Sequence, residues 1–200
     1  MEATSGTLGP DVRRGIRRRI LQLAGYEVLV ALLLFVPAGT WRWTRAWAYL
    51  ALSVLLLAAN AAYVLPRNPE VIAERGRWHK GTAAFDRIII PAYTLATFAV
   101  YVVAGLDAAR FVWAPIGWPW AVLGGALVAA GTVPVAGAMA VNPHLEITAR
   151  IQAERGHRPV TEGPYRFVRH PMYAGGLVQF AGIPLFLGSA WSFVPAGVCA

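Results

Sequence analysis

Cysteine, acidic side chains and charge in general are scarce in this chain of 200 residues. The single cysteine, Cys199, excludes a disulfide framework and a cysteine-based metal cluster. Charged residues make up only 14% of the chain, and 18 Lys and Arg against 10 Asp and Glu give a formal net charge of +8. These basic residues occur in short runs between apolar segments, not on one face of a soluble domain, so nucleic acid is not an expected partner.

Apolar residues take the place of the missing charge. They make up 57% of the chain, and the mean hydropathy is +0.50. A helix needs about 20 apolar residues to cross a bilayer, and four segments come close to or exceed that length. We therefore predict an all-α, polytopic transmembrane bundle, a single membrane domain over residues 1–200, with full spans at 20–36, 46–65, 88–106 and 119–141.

The tract from Met172 to Ala200 has no charged side chain and is too short for two full spans. Gly188, Ser189 and Ser192 favour a helix–turn–helix, with helices at about 172–187 and 190–200. The second helix would then cover only about half of the hydrocarbon core, so we expect a span that is truncated at Ala200. One tilted helix over 177–200 is the alternative.

The distribution of Lys and Arg predicts the orientation. The tail 1–19 and the loops 66–87 and 142–171 each carry five, whereas the other two connections carry two and one. Because cytoplasmic loops are enriched in basic residues, the N-terminus and both long loops are expected in the cytoplasm. We predict a multi-pass protein of a bacterial or archaeal inner membrane, surrounded by membrane lipids.

Two polar residues inside the predicted spans are candidates for the substrate side of a site. Glu27 lies about two turns into the first span, and Asn60 lies near the end of the second. An intramembrane carboxyl group normally faces the bundle interior and has a partner. Glu27 either borders a polar cavity or makes a structural hydrogen bond, for example to Asn60, and both interpretations stay open.

The fourth span is rich in glycine and alanine, including Gly124, Gly131 and Gly137. Small residues at such spacing predict close helix packing, with a kink at Pro134.

The most distinctive stretch is 163–176, which places two tyrosines, two arginines and a histidine at the start of the last apolar tract. They are Tyr165, Arg166, Arg169, His170 and Tyr173. Proline at 171 suits the first position of a helix, whose free N–H groups would form an anion site beside Arg169. The histidines are widely spaced and no metal site is expected.

This stretch resembles the signature of the isoprenylcysteine carboxyl methyltransferase family, which is related to the phospholipid methyltransferases. The match runs Gly163-x-Tyr165-x-x-x-Arg169-His170-Pro171-x-Tyr173-x-Gly175 and is preceded by His157-x-x-Val160-Thr161-x-Gly163. The resemblance implies methyl transfer from S-adenosyl-L-methionine to a lipophilic small-molecule or lipid-linked substrate in the membrane.

The resemblance also implies which residues contact the cofactor. They are Gln152, His157, Arg158, Pro159, Val160, Tyr165, His170, Pro171, Met172 and Tyr173. The family carries a second motif after its last span, and this sequence ends before it, so the 200 residues are expected to hold only part of the site. Activity of the chain as given therefore depends on that segment.

Arg169 and His170 are the candidate catalytic residues. Arg169 can bind a carboxylate bidentately, and His170 can orient the cofactor or act as a base. A carboxylate acceptor, which needs no base at neutral pH, is expected; an amine acceptor would need one, with His170 or Glu27 as candidates. The rival hypotheses are an NADPH-dependent reductase of the sterol-reductase type, which would show further basic residues for phosphates, and a non-enzymatic membrane scaffold.

Overall fold

The computed structural model of the chain, which describes residues 8–75, 85–145 and 160–199, contains four helices that are long and apolar enough to cross a membrane. The protein is an all-α polytopic membrane bundle, and no β-strand occurs in the described ranges. The helices are α1 (Pro10–Ala38), α2 (Thr44–Val64), α3 (Pro69–Glu74), α4 (Asp86–Ala104), α5 (Trp118–Val141), α6 (Pro171–Leu187) and α7 (Phe193–Val198). A π-helical segment, Gly105–Phe111, continues α4, and a 3₁₀ turn, Gly163–Arg166, precedes α6.

Helix α1 begins ten residues earlier than the predicted first span. Pro10 occupies its first turn, where the missing N–H costs nothing. Arginine is a good helix former, so the basic segment continues the apolar helix instead of forming a separate tail. The helix ends at Gly39, whose left-handed conformation (φ 66°) lets its N–H bond to the Phe35 carbonyl.

Helices α5 and α6 pack more extensively on each other than any other pair. A Cβ added at Gly131 would lie 2.5 Å from the carbonyl oxygen of Gly175, and one added at Gly182 would lie 2.6 Å from that of Gly124. The two backbones therefore touch with no side chain between them. The predicted packing role of the small residues in the fourth span is thus a feature of the structure, and its partner is α6.

The uncharged C-terminal tract is a helix followed by a turn and a second, short helix. Helix α6 ends at Gly188, which has φ 84° and a capping N–H bond to the Pro184 carbonyl. Helix α7 then packs on α4, and the Cys199 sulfur lies 3.8 Å from the Thr97 hydroxyl. The single tilted helix over 177–200 is therefore wrong, because the left-handed glycine reverses the chain.

A network of hydrogen bonds joins the π-helical segment after α4 to the connection before α5 and the turn after α6. It lies at one end of the bundle, which we call the tryptophan end after Trp41, Trp47, Trp113 and Trp118. Asp107 in the π-helical segment is fully buried. Its Oδ1 accepts from the Ala114 N–H at 2.7 Å, and its Oδ2 accepts from the Ser189 hydroxyl at 2.6 Å and the Trp191 N–H at 3.1 Å. Both carboxyl oxygens are thus satisfied within the fold.

The opposite end, which we call the basic end, consists of the start of α1, helix α3, the end of α5 and the start of α6. Asn68 caps α3 by accepting from the Val71 N–H, and it donates to the Met139 carbonyl on α5 at 2.9 Å. Gly15 lies against Ala73, where an added Cβ would come within 2.6 Å of the alanine Cβ. Helix α3 is therefore held between α1 and α5.

Candidate functional site

The start of α6 forms an exposed corner at the basic end. His170 is the residue before the helix and Pro171 is in its first turn, and no described side chain caps the helix. The imidazole of His170 and the ring of Tyr173 are 5.6 Å apart, centroid to centroid. Tyr173 is 74% exposed, and Arg169 and His170 are exposed as well. This corner presents a cation, two π-surfaces and uncapped helix N–H groups together.

Tyr165 belongs to the 3₁₀ turn that leads into this corner. Its hydroxyl oxygen accepts a hydrogen bond of 2.8 Å from the side-chain amide of Asn142, at the end of α5. Gly163 takes a positive φ of 57°, and a Cβ there would press on Val141 at 3.2 Å. Glycine is thus required for the turn to dock on α5.

The remaining predicted cofactor residues divide into two groups. Val160 and Met172 are half-buried, and Pro171 is buried, so Pro171 positions the corner without offering a surface. Four predicted residues lie outside the described residues, namely Gln152, His157, Arg158 and Pro159. The sequence also predicts a cytoplasmic helix over 145–154, and all of it except Leu145 lies outside the described residues.

A cavity of about 380 Å³ lies inside the bundle. Helices α1, α2, α3, α4, α5 and α6 all contribute to its wall, and most of its lining is apolar. Its polar lining residues are Arg19, Tyr26, Glu27, Tyr49, Ser53, Asn60, Arg75, Tyr93, Thr97, Tyr101, Thr132 and Gln179. A chamber with a mostly apolar surface and several convergent polar groups is typical of a small-molecule site.

Glu27 and Asn60, the two substrate-side candidates, line this cavity together. Oε1 of Glu27 accepts from the Ser53 hydroxyl at 2.7 Å, so the suggested hydrogen bond to Asn60 is wrong. The Asn60 amide instead approaches the Met139 sulfur at 3.8 Å. Oε2 of Glu27 and Oδ1 of Asn60 are buried with no hydrogen-bond partner among the described residues. Buried acceptors without donors call for a further partner, such as an ordered water or a bound ligand.

Other polar groups of the wall bond to one another. The hydroxyls of Tyr49 and Tyr101 are 2.9 Å apart, and the Gln179 amide donates to the Thr132 hydroxyl at 3.0 Å. Gln179 is nine residues beyond His170 on α6, a rise of about 14 Å. One helix therefore carries both the exposed corner and part of the cavity wall.

Sequence reasoning missed Arg19, Ser53, Arg75, Tyr101 and Gln179 as lining residues. In the sequence analysis Arg19 and Arg75 contribute only to the Lys and Arg count that predicts the orientation in the membrane. Burial, and secondly the charge of Arg19, lower the pKa of Arg75 to about 10, while nearby Tyr165 acts in the opposite direction. One feature of the sequence could have pointed to these two arginines. Arg19 directly precedes the apolar part of α1, and Arg75 directly follows the short helix α3.

Comparison with known proteins gives one match. Residues 120–200 match the family model described as phospholipid methyltransferase. This part of the chain is thus similar to the membrane methyltransferases. The matched range begins in α5 and includes the Arg169-His170-Pro171 corner, so the resemblance to this group is confirmed. No curated protein and no solved structure matches the chain.

The methyltransferase match, together with four long apolar helices, makes this an integral membrane protein. The similarity suggests methyl-transfer chemistry with a methyl donor, and the apolar helices suggest a lipid or lipophilic substrate.

The described residues at the corner fit S-adenosyl-L-methionine as that donor. The cofactor has a carboxylate, a sulfonium cation and an adenine ring. Arg169 and the uncapped N–H groups of α6 suit the carboxylate. The exposed ring of Tyr173 suits the cation or the adenine.

Proposed function

We propose that this protein transfers a methyl group from S-adenosyl-L-methionine to a lipophilic substrate, with a carboxylate as the methyl acceptor. The observation that carries the proposal is the corner at the start of α6, within the segment that matches the methyltransferase family. The cavity that α6 shares with five other helices is the proposed place for the apolar part of the substrate.

In this proposal Arg169 is the residue that fixes the cofactor carboxylate, because a guanidinium can make two parallel charge-assisted hydrogen bonds. The Met172 and Tyr173 backbone N–H groups add donors for the same anion. Tyr173 and His170 flank the sulfonium and the adenine, and Gln152, His157, Arg158, Pro159, Val160 and Tyr165 complete the cofactor contacts. The cofactor supplies an electrophilic methyl carbon.

The chain's contribution to the transfer is orientation and the exclusion of water. A carboxylate acceptor is ionised at neutral pH, so no side chain has to remove a proton from it. Were the acceptor an amine, His170 at the corner or Glu27 in the cavity would have to accept a proton. The pH dependence of the rate separates the two acceptors, since only the amine requires a protein base.

We further propose that the basic end faces the cytoplasm, as the Lys and Arg count indicates. In a Cys199→Ser background, a cysteine placed at Glu162 would react with a membrane-impermeant maleimide only after the cells are opened. A cysteine placed at Arg42, on the opposite end, would react in intact cells. The reverse pattern contradicts this orientation.

The cofactor assignment is tested by titrating the purified protein with S-adenosylhomocysteine and, separately, with NADPH. We expect binding of the first alone, and a loss of at least roughly tenfold in affinity in Arg169→Ala, since a charge-assisted contact to a carboxylate is removed. Arg166→Ala is the matched control, because Arg166 is exposed and lies in the adjoining turn. Unchanged binding in Arg169→Ala rejects the role of Arg169, and binding of NADPH alone favours the reductase.

A further inference from the structure

Two arginines from different elements meet at the basic end of the cavity. The close contact between Gly15 of α1 and Ala73 of α3 sets the crossing of these helices. Arg19 lies one turn beyond Gly15 on the same face of α1, and Arg75 follows Ala73 by two residues. Both side chains line the cavity, and both are half-buried.

Nothing within the described residues neutralises this pair. Neither guanidinium makes a hydrogen bond or ion pair to a described carboxylate, and Arg75 feels the charge of Arg19 directly. With a pKa of about 10, Arg75 stays charged at neutral pH despite its burial. Two partly desolvated positive charges that lie close together repel each other, which costs free energy. An anion bound between them offsets this repulsion.

The surroundings of the pair indicate what the anion is attached to. Inward from the arginines the wall is apolar, with Leu23, Leu56 and Ile72. The next polar feature on α1 is Glu27, eight residues or about 12 Å beyond Arg19. A small free anion would leave this apolar space unfilled. The anionic group therefore belongs to a molecule with an apolar body.

We propose that Arg19 and Arg75 bind the phosphate or carboxylate group of an anionic amphiphile whose apolar part occupies the cavity. The two arginines lie on α1 and directly after α3, outside the range 120–200, whereas the corner at Arg169 lies within that range. Arg75 is nevertheless near Tyr165 of the corner, and the amphiphile would occupy the cavity proposed above for the apolar part of the substrate. The inference therefore rests on the proposed function and adds the residues that would bind an anionic group of the substrate. Binding can be measured whether or not methyl transfer occurs, so the two proposals can fail separately.

The test is a binding titration of the purified protein in a non-ionic detergent, followed by native mass spectrometry. The probes are oleoyl lysophosphatidic acid, oleate, the uncharged monooleoylglycerol and inorganic phosphate. We expect one bound molecule of either anionic lipid, with at least roughly tenfold weaker binding of monooleoylglycerol. Arg19→Gln and Arg75→Gln should each weaken anionic-lipid binding by a similar factor, while Arg18→Gln, an exposed change of equal charge on α1, should not.

A variant that fails to fold can be distinguished from one that only loses the anion site by its thermal unfolding midpoint. Because each variant removes one of two repelling charges, Arg75→Gln should keep or raise the thermal unfolding midpoint of the lipid-free protein. Arg75→Lys, which keeps the charge, should retain part of the affinity. Equal binding of the neutral lipid, an equal loss in Arg18→Gln, or affinity for inorganic phosphate as high as for the lipids would each overturn the proposal.

Discussion

Two carboxyl groups inside this protein, one fully buried and one half-buried, have opposite surroundings. At the tryptophan end, Asp107 accepts three hydrogen bonds, from two backbone N–H groups and the Ser189 hydroxyl. In the cavity, Glu27 accepts one from Ser53 on Oε1, and its Oε2 has no donor among the described residues. A saturated group stabilises the fold, whereas an unsaturated one is retained at a cost in stability. The difference marks one end of the bundle as structural and makes the interior the candidate binding site.

The largest expected effect comes from Asp107→Asn. The amide would turn an N–H₂ group toward backbone or hydroxyl donors, so at least one buried donor loses its acceptor. We expect the free energy of unfolding to fall by about 3 kcal/mol, from the lost bonds and the unsatisfied donors together. Unfolding followed by circular dichroism in detergent measures this, and Glu162→Gln, an exposed acid, serves as the control. A loss no greater than in the control would show that the network is not structural.

The matched variant Glu27→Gln tests whether the two carboxyl groups differ in their contribution to stability. The amide oxygen can still accept from Ser53, and the new N–H₂ replaces an oxygen that has no donor, so we expect a change in unfolding free energy below about 1 kcal/mol. If the proposal for the cavity is right, ligand affinity changes more than stability does. A destabilisation as large as that of Asp107→Asn would contradict the contrast.

Glycine-to-alanine substitutions can compare the tight α5–α6 contact with a position on α1 that has open space around it. Gly131→Ala puts a methyl group 2.5 Å from the Gly175 carbonyl oxygen, so α5 and α6 have to separate, at a cost of about 1–3 kcal/mol. Gly25→Ala, where nothing lies within 4 Å, should be neutral or stabilising, because alanine is the better helix former. Thermal unfolding of both variants gives the comparison, and equal midpoints would show that the α5–α6 contact is not tight.

The smallest effect is expected for volume added inside the cavity. Ala61 lines the cavity, so Ala61→Val places two methyl groups into space that is not filled. The unfolding free energy should change by less than about 1 kcal/mol, mostly from the lower helix propensity of valine. Affinity for a cavity ligand, measured by the lysophosphatidic acid titration, should fall. A large loss of stability would mean that the cavity is closed in solution.

The local patterns in the sequence predicted a large part of the fold. Apolar length marked the four long helices, and the glycines of α5 indicated a close helix contact, because both are properties of a single segment. The start of α1 at Pro10 was missed, since the basic run was treated as a tail although arginine favours a helix. The Gly188 turn was one of two alternatives and needed the structure to decide it.

The candidate site was only partly predictable for a physical reason. The corner at Arg169 and His170 is contiguous in the sequence, so a motif could point to it. The cavity depends on contacts between distant residues, such as Ser53 with Glu27 or Gln179 with Thr132, and no pattern within one segment contains those pairs. Asp107 was missed likewise, because its donors lie up to 84 residues away.

The backbone contact between α5 and α6 has a consequence for how the interior can be reached. Because Gly131 and Gly175 leave no side chain to slide or rotate between the two helices, they form the fixed wall of the chamber. An entrance wide enough for a lipid chain would then have to form on the side of the cavity away from α5 and α6, by a displacement of α1, α2 or α4. Spin labels on α2 and α6 would be expected to report that movement, with the α5–α6 distance unchanged.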